Sequence, residues 1–210
     1  MTAPLRRPLL AAAALWAALP VDAALGRQTG AVVEPVRAFV QSELERQEIP
    51  GLSVALVVRD QLVWSQGFGF ADLESGARAT GSTLYRIGSV SKPVVGTALM
   101  QLVEAGKVDL DADIREYVPA WPAKHPVITT RHLMTHTSGI RHYRGAEFLS
   151  RERYPDLTAP LDVFKEEALM FEPGTKFSYS TYGFNLVANV IEGATGMPIA
   201  EYMRERVFEP

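Results

Sequence analysis

An α+β fold is predicted for this 210-residue chain by three observations. Apolar residues at helical spacing precede two β-rich runs around a polar turn, a second apolar helix-length run follows Ser89, and a third follows Ser180. At 47% hydrophobic and 21% charged, the chain has enough apolar material for one sizeable core, so one domain over residues 24–210 is expected.

The first 23 residues are set apart by pattern. Arg6 and Arg7 precede an apolar run over residues 9–19, and Val21-Asp22-Ala23 has the small-residue form of a cleavage site. This reads as a signal peptide, with a periplasmic or secreted destination; a mitochondrial presequence is the alternative reading. The run falls short of the roughly 20 apolar residues of a spanning helix, so no stable membrane span is expected. Net charge is −3, and loss of Arg6, Arg7 and Asp22 with the leader takes it to −4. Neither value suggests a nucleic-acid or anionic-membrane partner. The absence of cysteine excludes disulfides, a thiol nucleophile and Cys-ligated metal.

Along the chain, Val32, Val33, Val36, Phe39, Val40 and Leu44 recur at helical spacing and predict an amphipathic helix over 31–47, stopped by Ile49-Pro50-Gly51. Residues 52–58 and 62–70 predict a β-hairpin around Arg59-Asp60-Gln61. Residues 71–82 read as loop, and 90–105 as a helix capped by Gly106. Asp109, Asp111 and Asp113 alternate in what reads as a solvated connection, without the glycine and terminal glutamate of a calcium loop. Thr129 or Thr130 can cap a short helix running to His136. His132 and His136 stand at metal-ligand spacing, but Leu133 and Met134 occupy the place of a glutamate base, so packed or hydrogen-bonded histidines are expected and no metal. Further helices are expected over 161–170, over 181–194 with Gly196 beyond, and from Pro198 to about residue 207.

Ser89 and Lys92 form a Ser-x-x-Lys pair in Tyr85-Arg86-Ile87-Gly88-Ser89-Val90-Ser91-Lys92. Residues three apart share a helical face, so the lysine amine can reach a hydroxyl at the helix start, where free N–H groups can hold an oxyanion. With 11 Ser and 5 Lys in the chain, chance alone supplies about 0.26 such pairs, so the pair needs support. Tyr179, in Pro173-Gly174-Thr175-Lys176-Phe177-Ser178-Tyr179-Ser180, supplies a phenol that could share the lysine's proton.

Together with Leu133-Met134-Thr135-His136-Thr137-Ser138-Gly139, these boxes resemble the serine β-lactamase and penicillin-binding-protein superfamily. Within it they look most like the class C and D-alanyl carboxypeptidase or esterase branch, which includes mitochondrial β-lactamase-like serine proteins and their bacterial relatives. The resemblance implies a β-lactamase/transpeptidase-like fold, an antiparallel sheet flanked by helices plus a helical subdomain. It implies Ser89 as acylated nucleophile, Lys92 as its proton partner, Tyr179 as shuttle to the leaving group, and no cofactor. Substrates would be small peptides, esters or β-lactam-like compounds. Thr181 stands where the family usually carries Asn; as a substrate-binding residue it keeps a hydroxyl but loses an amide's paired donor and acceptor, which favours peptide or ester hydrolysis over β-lactam turnover. The family's Lys-Thr-Gly or His-x-Gly strand is expected after the last helix, yet the sequence ends at Glu209-Pro210. That implies a C-terminally truncated chain lacking its C-terminal sheet strands, with a half-built site; the alternative function is an inactive fragment or a non-catalytic binding or assembly protein. Glu166 and Leu169 mimic a deacylating Glu-x-x-Leu loop, but read as part of a charged helix surface.

Overall fold

The computed structural model describes residues 23–209, so residues 1–22 of the segment read as a signal peptide lie outside it. The chain divides after Arg86 into two compact units.

The first unit starts with helix α1 (Ala23–Arg46), which begins before the expected residue 31 and carries Pro35 in its interior. Val33 is buried and Val36, Val40 and Leu44 are half-buried, a stripe spaced by three, four and four, while Val32 and Phe39 face solvent. The Arg37 guanidinium sits over the Trp64 ring at 5.8 Å. Strands β1 (Gly51–Val58) and β2 (Gln61–Asp72) pair antiparallel, with Leu56 opposite Trp64 and Val58 opposite Gln61. Arg59 and Asp60 both take positive φ, 50° and 61°, as a two-residue hairpin turn requires for its twist to match the strands. Gly69, at φ 65°, lies where a Cβ would strike the Pro50 carbonyl, so glycine is needed on both counts.

The stretch 71–82 is not simply loop. It contains a short strand, β3 (Ala77–Arg78), paired antiparallel with β2 in a sheet of order β1-β2-β3. Ser53 Oγ donates to the Thr80 carbonyl at 2.6 Å and lies 3.0 Å from Tyr85 Oη, tying the exit from the sheet back to β1.

The second unit is helical and holds a continuous core. Helix α2 (Ser91–Glu104) turns Ala98, Leu99 and Leu102 inward and ends at Gly106, whose φ of 67° closes it. A 3-10 turn at Ile114–Glu116 is capped by Asp113, which accepts from the Arg115 N–H. Helix α3 (Thr130–Met134) opens on a reciprocal cap: Thr129 Oγ1 accepts from the His132 N–H at 3.2 Å, and His132 Nδ1 accepts from the Thr129 N–H at 3.3 Å. It stops two residues short of the expected His136, which takes φ 57°. Helix α4 (Thr181–Thr195) runs from the Ser180 cap to Gly196 and buries Leu186, Val187, Val190 and Ile191 completely. Helix α5 (Ile199–Met203) follows Pro198 and passes into a wider turn over Arg204–Phe208.

The helix expected over 161–170 is absent. A 3-10 turn spans Ala159–Val163 and irregular chain follows, although Leu161 and Phe164 are buried as an amphipathic helix would bury them. The carbonyls that would sustain the helix are taken by side chains: Val163 O by Arg141 Nη2, Lys165 O by the His125 ring nitrogen, and Glu166 O by Lys124 Nζ. Glu166 is a surface group paired with Lys124 at 2.7 Å, but on irregular chain and not on a helix. Among the described residues, no helix is long and apolar enough to cross a membrane.

Candidate active site

Ser89 lies in the 3-10 turn Gly88–Val90, immediately before α2. Gly88 takes φ 51° and its carbonyl accepts from Ser91 Oγ, which fixes the turn. Lys92, in the first turn of α2, comes back over Ser89 by the three-residue spacing, and its Nζ lies 2.9 Å from Ser89 Oγ. Tyr179 arrives from the extended segment before α4, and its Oη donates to the same Oγ at 2.8 Å. Lys92 Nζ also reaches Thr181 Oγ1 at 3.4 Å and sits 4.8 Å from the Tyr179 ring centre. Lys92 and Tyr179 thus meet on the Ser89 hydroxyl, and Thr181 joins them through the lysine.

The Lys92 ammonium, followed by the Ser89 hydroxyl, holds the Tyr179 phenol below the ordinary tyrosine range. A phenol so placed gives up its proton more readily and can take one back from Ser89 along the same short contact. The three groups border a cavity of about 370 Å³ whose other walls include Val95, Tyr143, Phe148, Phe184 and Asn185.

The loop carrying that wall is pinned from beneath. Arg141, 6% exposed, pairs through Nη1 with Glu147 and through Nη2 with Glu167, both at 2.7 Å, and its Nη2 also donates to the Val163 carbonyl. Tyr182 Oη donates to Glu147 at 2.9 Å. The Arg141 guanidinium first, then the Arg144 N–H, lowers the Glu147 carboxyl to about 2, while burial and Glu147 raise the Tyr182 phenol to about 12. Glu167 is committed to this network, and Glu166 does not border the cavity.

Two histidines flank the tyrosine. His136 Nδ1 accepts from the Ser180 N–H at 3.2 Å, and His142 Nδ1 accepts from the Thr181 N–H at 3.3 Å. The His136–Thr137 segment is further held by backbone bonds from Ser178 N–H to His136 O and from Gly174 N–H to Thr137 O. These contacts agree with hydrogen-bonded histidines at 132 and 136. The place of His142 beside the site had no signal in the sequence beyond its nearness to the Thr137-Ser138-Gly139 turn. Among the described residues, no three His, Asp or Glu side chains gather to hold a metal. The alternating acids are otherwise engaged: Asp111 makes a two-point pair with Arg131 at 2.7 and 2.8 Å, and Asp113 binds Arg115.

The chain is 28% identical to the mitochondrial serine β-lactamase-like protein LACTB of Homo sapiens, over 82% of this chain and 44% of that one. It is 31% identical to the esterase EstB of Burkholderia gladioli, over 82% of this chain and 48% of the esterase. The solved structure of EstCE1, a hydrolase with promiscuous acyltransferase activity, superposes with a TM-score of 0.72 at 27% identity, over 86% of this chain and 51% of that one. The chain therefore spans about half the length of these relatives. Such neighbours share the β-lactamase/transpeptidase fold expected from the sequence. A β-lactamase family model matches residues 36–210. Because that match runs from α1 through every segment that meets at Ser89, the chain belongs to the β-lactamase family.

Proposed function

We propose that this chain is a serine acyl-hydrolase that cleaves ester or amide bonds through an acyl-enzyme on Ser89. The observation that carries the reading is the convergence of Lys92 Nζ and Tyr179 Oη on one hydroxyl, at 2.9 and 2.8 Å. A serine needs a base within hydrogen-bond reach to become a nucleophile, and its leaving group needs an acid in the same place.

Ser89 Oγ attacks the substrate carbonyl carbon as its proton passes to the Lys92 and Tyr179 pair that meets it at 2.9 and 2.8 Å. The carbonyl π pair moves to oxygen, and the Ser89 backbone N–H offers a donor to that oxyanion. When the tetrahedral species collapses, the bond to the leaving group breaks and the phenol returns its proton to the departing oxygen or nitrogen. Water then repeats the sequence on the acyl-enzyme, releasing the acid and restoring Ser89. Thr181, a hydroxyl where the family usually carries an amide, supports esters and peptides ahead of β-lactams as substrates. The esterase and acyltransferase descriptions of EstB and EstCE1 point the same way.

The test is hydrolysis of p-nitrophenyl butyrate by the purified 210-residue chain. Turnover is expected, with kcat/KM at least about 10³-fold lower in Ser89→Ala. No turnover, or equal turnover in the variant, contradicts the proposal.

A further inference from the structure

Tyr179 is packed between two imidazole rings that the proton relay does not use. The His136 ring lies tilted against it at 4.4 Å, and the His142 ring meets it edge-on at 5.4 Å. The same two rings accept from the two backbone N–H groups that follow Tyr179, those of Ser180 and Thr181 at the mouth of α4. A backbone N–H only donates, so each Nδ1 must be bare and each neutral ring must carry its proton on Nε2. Ser180 is anchored a second time, its Oγ donating to the Arg141 carbonyl at 2.8 Å and accepting from the Gly183 N–H at 3.0 Å.

We infer that His136 and His142 are positioning residues: as neutral Nε2–H imidazoles they fix the chain on the C-terminal side of Tyr179 and the tilt of its ring, and so hold the phenol on Ser89. The inference rests on the proposed role of Tyr179. Protonating either ring would set N–H against N–H and add a cation beside Lys92. The charged and titratable groups that face the pair are Lys92 from α2, Tyr143 and Tyr179, the other histidine, and the Arg141–Glu147 pair next to His142. Burial first, then Lys92 and His142, hold His136 below the ordinary histidine range. The neutral form of His136 is therefore kept at neutral pH, and its contact is lost as pH falls through its titration.

Two measurements on the full chain test this. Long-range imidazole proton–nitrogen correlation on ¹⁵N-labelled protein at pH 7.5 should show both rings as Nε2–H tautomers; an Nδ1–H signal on either ring overturns the inference. In ester hydrolysis, His136→Ala and His142→Ala should each lower kcat at least about 10-fold with KM within about twofold, as expected of a displaced reacting group. Asparagine, which offers an oxygen near the Nδ1 position and does not titrate, should recover about 10-fold over each alanine variant and, at position 136, flatten the acid limb of the pH profile. Alanine variants with parental kcat, or a His136→Asn variant with an unchanged acid limb, overturn it. Failure of the Ser89 reading looks different: the parent would show no turnover and no fluorophosphonate adduct, while the tautomer result would still decide the contacts.

Discussion

Before Ile87 and after it, the chain uses its apolar residues in different ways. In the first unit only Val33, Phe68 and Ala79 are buried among the described hydrophobic side chains, while Val57, Leu62 and Leu73 are each more than half exposed. From Ile87 onward eighteen buried side chains form one cluster, with α4 through its middle. The helical unit thus closes a core of its own, and every group proposed for the chemistry stands on it. The hairpin unit is held by the ladder bonds of its three strands and by a narrow stripe from α1, with few buried side chains. Chemistry and stability should therefore both be sensitive to changes in the second unit, and hardly at all to changes on the exposed face of the first.

The largest expected effect is chemical. Tyr179→Phe removes the phenol that meets Ser89 and should lower kcat about 10²- to 10⁴-fold, with the midpoint of thermal unfolding little changed, since the ring itself is retained. Next comes the core: Leu186→Ala, at a fully buried position of α4, should cost about 3–4 kcal/mol in denaturant unfolding. A loss below 1 kcal/mol would mean that the core of the second unit is looser than described.

Arg141→Met should cost about 2–3 kcal/mol, near the low end for breaking a buried ion pair because Glu147 and Glu167 keep some water. The acid dependence gives the sign. Glu147 is depressed from 4.5 to about 2, so its contribution is present above 4.5 and is lost as pH falls through about 2. Parental stability should fall more steeply than that of the variant across this window, and parallel curves would remove the network from the account. The smallest effect belongs to the hairpin: Leu62→Thr, at a position 63% exposed, should change stability by no more than about 0.5 kcal/mol. A loss as large as that at Leu186 would show that the two units do not differ as argued here.

Much of this architecture was legible in the residues, for reasons that can be named. The 3.6-residue period and the Gly196 stop mark α4 within a residue at each end, and Arg59-Asp60 sits where the alternation of two strands breaks. The three-residue step from Ser89 to Lys92 survives even though Ser89 belongs to a 3-10 turn, because that turn leads directly into α2. The failures are equally physical. Residues 161–170 have the apolar spacing of a helix, but Arg141, His125 and Lys124 capture carbonyls from distant parts of the chain, and no local pattern reports those donors. The two residues of β3 are too few to show alternation. The His132–His136 spacing suggests one shared helical face, whereas His136 leaves the helix, its carbonyl accepting from the Ser178 N–H and its ring packing on Tyr179.

The central claim, that Ser89 is the nucleophile served by Lys92 and Tyr179, is tested most directly by mass spectrometry of the chain after reaction with a fluorophosphonate. One adduct per chain is expected, mapped to the peptide containing Ser89, lost in Ser89→Ala and formed much more slowly in Tyr179→Phe. An adduct on another residue, or one that persists in Ser89→Ala, would contradict it.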